Sequence, residues 1–306
     1  MTSSPPPFKH PGPPPSRPEL PDGAPVPADR SDRPLPDLGA PAWAPFLAAV
    51  VGIIALLIVV AVVGLVVELT GGKSSDLDSD GFTLGLTFAQ DLVLVASAIG
   101  VVWWLGGRPT PAAFGLRVPA WKPALAWTAA AYAAFWVAAI ILQQVFGTPD
   151  DQELVTELKA QDSLPVLIGF ATLVCIVAPL AEEFVFRGFL FRVLWERTNV
   201  GVAAVVSGAL FGLVHKEPGP EWVGVMVLGV FGVILCFVFV RTVSLVPCMM
   251  LHSFHNSISF GVVKELPWWG FLLLVFGSVM TTLVISLLAM RLRPGAPSRA
   301  PALSPS

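Results

Sequence analysis

One apolar run carries three ionisable side chains near its middle and a fourth, Arg192, toward its end. Residues 178–195 read APLAEEFVFRGFLFRVLW, and Glu182, Glu183 and Arg187 all fall inside it. At the centre of a membrane helix each such group costs about 2.5–3.5 kcal/mol, so a chain that keeps three of them there has a use for them. More polar groups of this kind follow in later apolar runs: His215 at the end of 200–215, and His252, His255 and Asn256 within 243–263. Apolar lipid satisfies none of these groups, so they must meet one another. Asp91, early in the apolar run 84–105, reads as packing or loop chemistry.

Helical phase says which can meet. Glu183 and Arg187 are four apart and share a helix face, where they can pair. Glu182 points about 100° away from Glu183 on a helix of 3.6 residues per turn, which frees it to face a cavity. His252 and Asn256 are again four apart, as are Phe211 and His215, so an aromatic wall can flank the second imidazole. At 1.5 Å per residue His252 lies roughly 14 Å in from Val243, His215 roughly 22 Å in from Val200, and Glu182 roughly 20 Å in from Trp195. The three converge near or just inside the cytoplasmic half of the bilayer.

A carboxylate, two imidazoles and an amide suit hydrolysis by an activated water. Glu182 can take the proton as general base, and His215 can orient the water or share that proton. His252 and Asn256 can donate hydrogen bonds to a tetrahedral oxyanion. Glu182, His215 and His252 could equally serve as ligands of a zinc ion, since two His and one Glu form a catalytic ligand set. The HExxH pattern is absent, so a metal is not forced. No serine stands in a GxSxG setting. Cys175, Cys236 and Cys248 lie in apolar runs without CxxC spacing, which supports neither a disulfide framework nor a zinc knuckle.

The elements that must position these groups are apolar helices. The chain has 306 residues, of which 55% are hydrophobic and 13% charged, with mean hydropathy +0.75. Soluble domains carry about 25% charged residues. The expectation is an all-α, polytopic membrane protein with eight spans around an intramembrane polar cavity: 43–69, 84–105, 123–146, 164–195, 200–215, 222–240, 243–263 and 268–290. The fourth is longer than a bilayer needs and the fifth is short. Counted over these spans, Arg108, Arg117, Lys122, Arg192, Arg197, Arg241 and the basic residues of both tails fall on one side, and only Lys73, Lys159, Lys216 and Lys264 on the other. By the positive-inside rule both termini are cytoplasmic in a multi-pass cell-membrane protein.

Residues 1–41 hold fourteen of the thirty prolines and read as a disordered cytoplasmic tail. Residues 42–292 form the membrane domain, and 293–306 are a second disordered tail. A net charge of -3 is too small to suggest nucleic acid as a partner. The bilayer and a peptide or membrane-protein substrate are the expected partners. Glycines such as those in 228–232 read as close helix packing.

Three motifs carry a family resemblance. EEFVFRG (residues 182–188) matches an EExxxR pattern, FGLVH (211–215) an FxxxH, and HSFHN (252–256) an HxxxN. In this order, on three spans, they resemble the CAAX-protease and bacteriocin-processing (CPBP, or Abi) family of intramembrane proteases over about 164–263. The resemblance implies an endopeptidase similar to the type II CAAX prenyl endopeptidase. It implies that Glu182 activates water, His215 assists, and His252 with Asn256 stabilises the oxyanion; the family's metal dependence is argued both ways. Phe114–Arg117, FGLR, also looks like a family habit outside the chemistry. His255 has no assigned role. The alternative is a non-catalytic membrane immunity or binding protein of the same fold. A transporter fits poorly, since inverted repeats are missing.

Overall fold

The computed structural model describes residues 35–71, 80–148, 153–216 and 222–291. The expected tails before residue 35 and after residue 291 lie outside the described residues. Nine helices and no strands occur among those described. They are α1 (Ala44–Leu69), α2 (Asp80–Trp104), α3 (Trp121–Phe146), α4 (Glu153–Ala160), α5 (Leu164–Arg197), α6 (Val200–Val214), α7 (Val223–Thr242), α8 (Leu245–Val263) and α9 (Trp268–Ala289). The chain is an all-α polytopic membrane protein.

Each of the eight expected spans is a helix, but they are not equivalent. Six are long and apolar enough to cross a membrane: α1, α2, α3, α5, α7 and α9. The 15 residues of α6 reach only about 22 Å, short of a hydrocarbon core of about 30 Å. In α8 the length of 19 residues suffices, but the polar side chains of 252–257 dilute its hydropathy. These two helices carry His215 and His252. Polar function and spanning length trade against each other there.

The outer helices face lipid. Along α1 only Ala44, Pro45, Ala48 and Gly52 are buried, while Ile54, Leu57 and Ile58 stay exposed, as do Ile140 and Ile141 on α3 and Leu273 and Phe276 on α9. In water such a surface would drive aggregation; in lipid it is the solvated state. The interior is aromatic: Phe114, Phe189, Phe191, Phe211, Phe231 and Phe239 are all buried. Close approach of α6 to α7 depends on glycine. A Cβ on Gly212 would lie 2.3 Å from the Val225 carbonyl oxygen, and one on Gly232 would lie 2.8 Å from Gly208 Cα. The packing expected of 228–232 is present.

α5 is the irregular element. It runs for 34 residues and twice widens to π geometry, at Leu173–Val177 and Phe184–Phe191. Pro179 accounts for the first. It has no N–H to return to the carbonyl of Cys175, four residues back, and its ring crowds that oxygen. The freed carbonyls find other donors. Ser253 Oγ donates to Cys175 O at 2.6 Å, and Asn256 Nδ2 donates to Val174 O at 2.9 Å. A break in α5 thus becomes the place where α8 is fastened.

The loop before α3 fastens the other end of α8. Gly115 has φ +89°, and a Cβ there would meet Phe239 at 2.6 Å, so the turn requires glycine. Its carbonyl accepts from Leu245 N at 2.9 Å. Arg117 Nε donates to Val243 O at 2.7 Å and Ser244 Oγ donates to Arg117 O at 2.6 Å. Phe114 stacks on Phe184 with centroids 4.4 Å apart. The FGLR stretch is therefore a clamp on the α7–α8 corner and on α5.

Residues 35–40 are packed rather than free. Leu38 and Ala40 are fully buried. Arg192 donates to the carbonyls of Pro36 (2.9 Å) and Ala113, and Arg197 donates to Ala40 O at 3.0 Å. The last part of the Pro-rich segment is thus held by two arginines at the end of α5.

Candidate functional site

Glu182 and Glu183 are neighbours with separate environments. The Glu183 and Arg187 side chains are 0% exposed, and Arg187 Nη1 donates to Glu183 Oε1 at 2.7 Å. Arg187 Nη2 also donates to Gly232 O at 3.2 Å, and its guanidinium carbon sits 4.4 Å from the Phe211 ring centroid. The carbonyl, the carboxylate and the aromatic face replace part of the water around a buried cation, while Arg187 Nε and Glu183 Oε2 are buried without a hydrogen-bond partner. Glu182 retains 20% exposure and lines a cavity of about 450 Å³ together with His215, Asp91 and Gln90.

Both imidazoles are fixed at Nδ1. His215 Nδ1 lies 2.7 Å from Phe211 O. A carbonyl only accepts, so Nδ1 carries the proton and Nε2 is left with its lone pair. That Nε2 lies 3.9 Å from Glu182 Oε1. His252 Nδ1 lies 2.8 Å from Glu183 Oε1, and its Nε2 is 3.8 Å from Glu182 Oε2. The Phe211 ring packs against His215 at 4.9 Å and His252 at 5.7 Å between centroids. Three helices, α5, α6 and α8, thus bring one carboxylate and two Nε2 atoms together. The spacing is too long for direct hydrogen bonds and suits a water touching both partners.

Glu182, His215, His252, Glu183, Arg187 and Phe211 are all brought together. Asn256 is close in sequence to this group, but its Nδ2 is bound to the Val174 carbonyl on α5. Any part it plays toward substrate rests on the second hydrogen of that nitrogen. His255 turns away into an aromatic box: its Nδ1 is 3.3 Å from Tyr132 Oη, with Phe135 and Phe231 centroids at 5.3 and 4.6 Å. Asp91, which the sequence reads as packing or loop chemistry, lines the same cavity as Glu182.

Phase reasoning missed the contact between Glu183 and His252, because it crosses from α5 to α8 and no sequence separation encodes it. It missed the π segments as well, although Pro179 within an apolar run was a visible signal for the first. Among the described residues no three His, Cys, Asp or Glu side chains are grouped closely enough to hold a metal ion as they stand; Glu182, His215 and His252 are the set read from sequence.

Residues 164–258 match the family model of the type II CAAX prenyl endopeptidase, Rce1-like. The chain is 33% identical to the protein YdiL of Bacillus subtilis over 82 residues, covering 26% of this chain and 32% of that one. It is 28% identical to the membrane-embedded CAAX protease MroQ of Staphylococcus aureus over 133 residues, covering 40% and 49%. It is 25% identical over 120 residues to the UPF0177 protein YxdF of Lactococcus lactis, covering 37% and 64%. The matches thus span less than two thirds of each of these relatives. No solved structure matches the chain significantly. The matched stretch runs from α5 into α8 and contains all three motifs, so that part of the chain is similar to the CAAX-protease family that the motifs resemble.

Proposed function

We propose that the protein is an intramembrane endopeptidase that hydrolyses a membrane-associated peptide substrate in the cell membrane, with both termini cytoplasmic. The observation that carries this is the convergence of Glu182, His215 and His252, with both Nδ1 atoms pinned and both Nε2 atoms turned toward one carboxylate.

The steps follow from the chain's own groups. A water between Glu182 Oε1 and His215 Nε2 gives a proton to Glu182 and attacks the scissile carbonyl. His215, fixed by the Phe211 carbonyl, orients that water. Negative charge develops on the carbonyl oxygen, and His252 donates to it through an Nε2–H while its Nδ1–H goes to Glu183; the remaining N–H of Asn256 adds a second donor one turn along α8. Glu182 then returns its proton to the leaving amine. Pre-set positions matter because a water held in a dry cavity needs no reorganisation at the moment of attack. A zinc ion is the alternative activator. Glu182, His215 and His252 would hold it, and it would polarise the carbonyl and acidify the water.

The test is direct. Membranes containing the parent protein, and membranes containing Glu182→Gln at equal abundance, are compared for new peptide termini by mass spectrometry. New termini confined to the parent support the proposal. Identical terminus profiles in the two would overturn it and favour a non-catalytic membrane protein of the same fold.

A further inference from the structure

Asp91 stands out among the buried polar groups. It sits eleven residues into α2, roughly 16 Å from the helix start, and it is 5% exposed. Its Oδ2 is buried and has no hydrogen-bond partner. A carboxylate so placed is unfavourable unless an opposite charge or a hydrogen-bond donor meets it. Among the described residues no Lys or Arg makes an ion pair with it. The cationic Arg187 is already committed to Glu183.

Its position is specific. One cavity, of about 450 Å³, contains Glu182 and His215. A second, of about 500 Å³, is lined by apolar groups that include Leu180, Ala181, Phe184 and Met249. Asp91 is the one described residue that lines both. It therefore stands between an apolar pocket and the one that holds Glu182 and His215, and among the described residues its Oδ2 has no partner.

We infer that Asp91 is a specificity residue which receives a cationic side chain, lysine or arginine, of the peptide substrate next to the scissile bond. This rests on the protease assignment above and deepens it by naming a substrate class. In a low-dielectric wall a carboxylate without a partner repels anionic peptides and penalises neutral ones by the desolvation it suffers uncompensated. A cationic residue cancels that penalty. Gln90, beside Asp91 on the same cavity wall, adds an amide without changing the charge.

The test uses full-length protein in lipid vesicles and a library of acyl-anchored peptides that differ in one lysine or norleucine position. Retention is measured on Glu182→Gln, so that binding is read without cleavage, and cutting is measured on the parent. The expected result is that lysine peptides are retained on Glu182→Gln, and cut by the parent, about tenfold or more better than their norleucine partners. Asp91→Asn is expected to remove that ratio while still cutting neutral peptides. An unchanged lysine preference in Asp91→Asn overturns the inference. So does loss of all cutting in a folded Asp91→Asn, which would place Asp91 in the chemistry. Peptides retained and cut without regard to charge overturn the Asp91 role and leave the protease assignment standing. No peptide retained and none cut would sink both.

Discussion

His252 Nδ1 and Arg187 Nη1 share one oxygen, Glu183 Oε1, at 2.8 and 2.7 Å. The charge that makes α5 expensive in lipid is thus the charge that orients an imidazole on α8. Breaking a buried pair from one side leaves an uncompensated ion, which costs about 3–5 kcal/mol. Glu183→Ala and Arg187→Ala are each expected to lower stability by that amount, read from thermal unfolding in detergent. The double variant Glu183→Gln with Arg187→Met is expected to regain most of the stability without regaining cleavage, because His252 has lost its anchor. A double variant as unstable as the singles would mean the pair is not the source of the loss.

Asn256 and Ser253 are tethers from α8 to the carbonyls of Val174 and Cys175. Asn256→Leu removes a donor and leaves a buried carbonyl unpaired, for which about 1–3 kcal/mol is expected. Ser253→Ala should behave alike. If Asn256→Leu abolishes cleavage with no change in thermal stability, Asn256 acts on the oxyanion alone and the tether is dispensable.

Pro179 sets up the acceptors for those tethers. Pro179→Ala restores an N–H that can return to Cys175 O. The variant is expected to be at least as stable as the parent, since a helix favours alanine over proline. Its turnover should still fall by about a hundredfold, because re-closing the helix rotates Glu182 away from the two Nε2 atoms. Parent-like turnover in Pro179→Ala would show that the first π segment does not position the site.

The metal question has a separate measurement. Glu182 lies 3.9 and 3.8 Å from the two Nε2 atoms, and among the described residues no three His, Cys, Asp or Glu side chains are grouped to hold a metal ion as they stand. The expected result is a purified protein with far less than one zinc per chain, and cleavage that survives chelation. Stoichiometric zinc, with activity lost to chelator and regained on adding zinc, would make Glu182, His215 and His252 ligands.

Much of the site was legible in the sequence because helical phase is local. The separate surroundings of Glu182 and Glu183, the Glu183–Arg187 pair, and Phe211 beside His215 all follow from spacings of one and four on a helix. The helices themselves were legible because lipid leaves the backbone few other choices. What was not legible depends on contacts between distant segments. Glu183 reaching His252, the Arg117 clamp on Val243, and Arg192 and Arg197 holding residues 36–40 each join parts of the chain with no shared periodicity. Asn256 shows the limit: its spacing of four from His252 is local, but its amide partner, the Val174 carbonyl, lies on α5. Asp91 was visible as a residue, but only packing shows that it lines both cavities.

The most direct measurement compares the initial rate of peptide cleavage by the parent with that of Glu182→Ala, both purified, reconstituted in vesicles and matched in thermal stability. Glu182→Ala is expected to unfold like the parent, because this carboxylate holds no hydrogen bond through Oε2, and to lose at least about a hundredfold in rate. A folded Glu182→Ala that cleaves as fast as the parent would contradict Glu182 as the base that activates water.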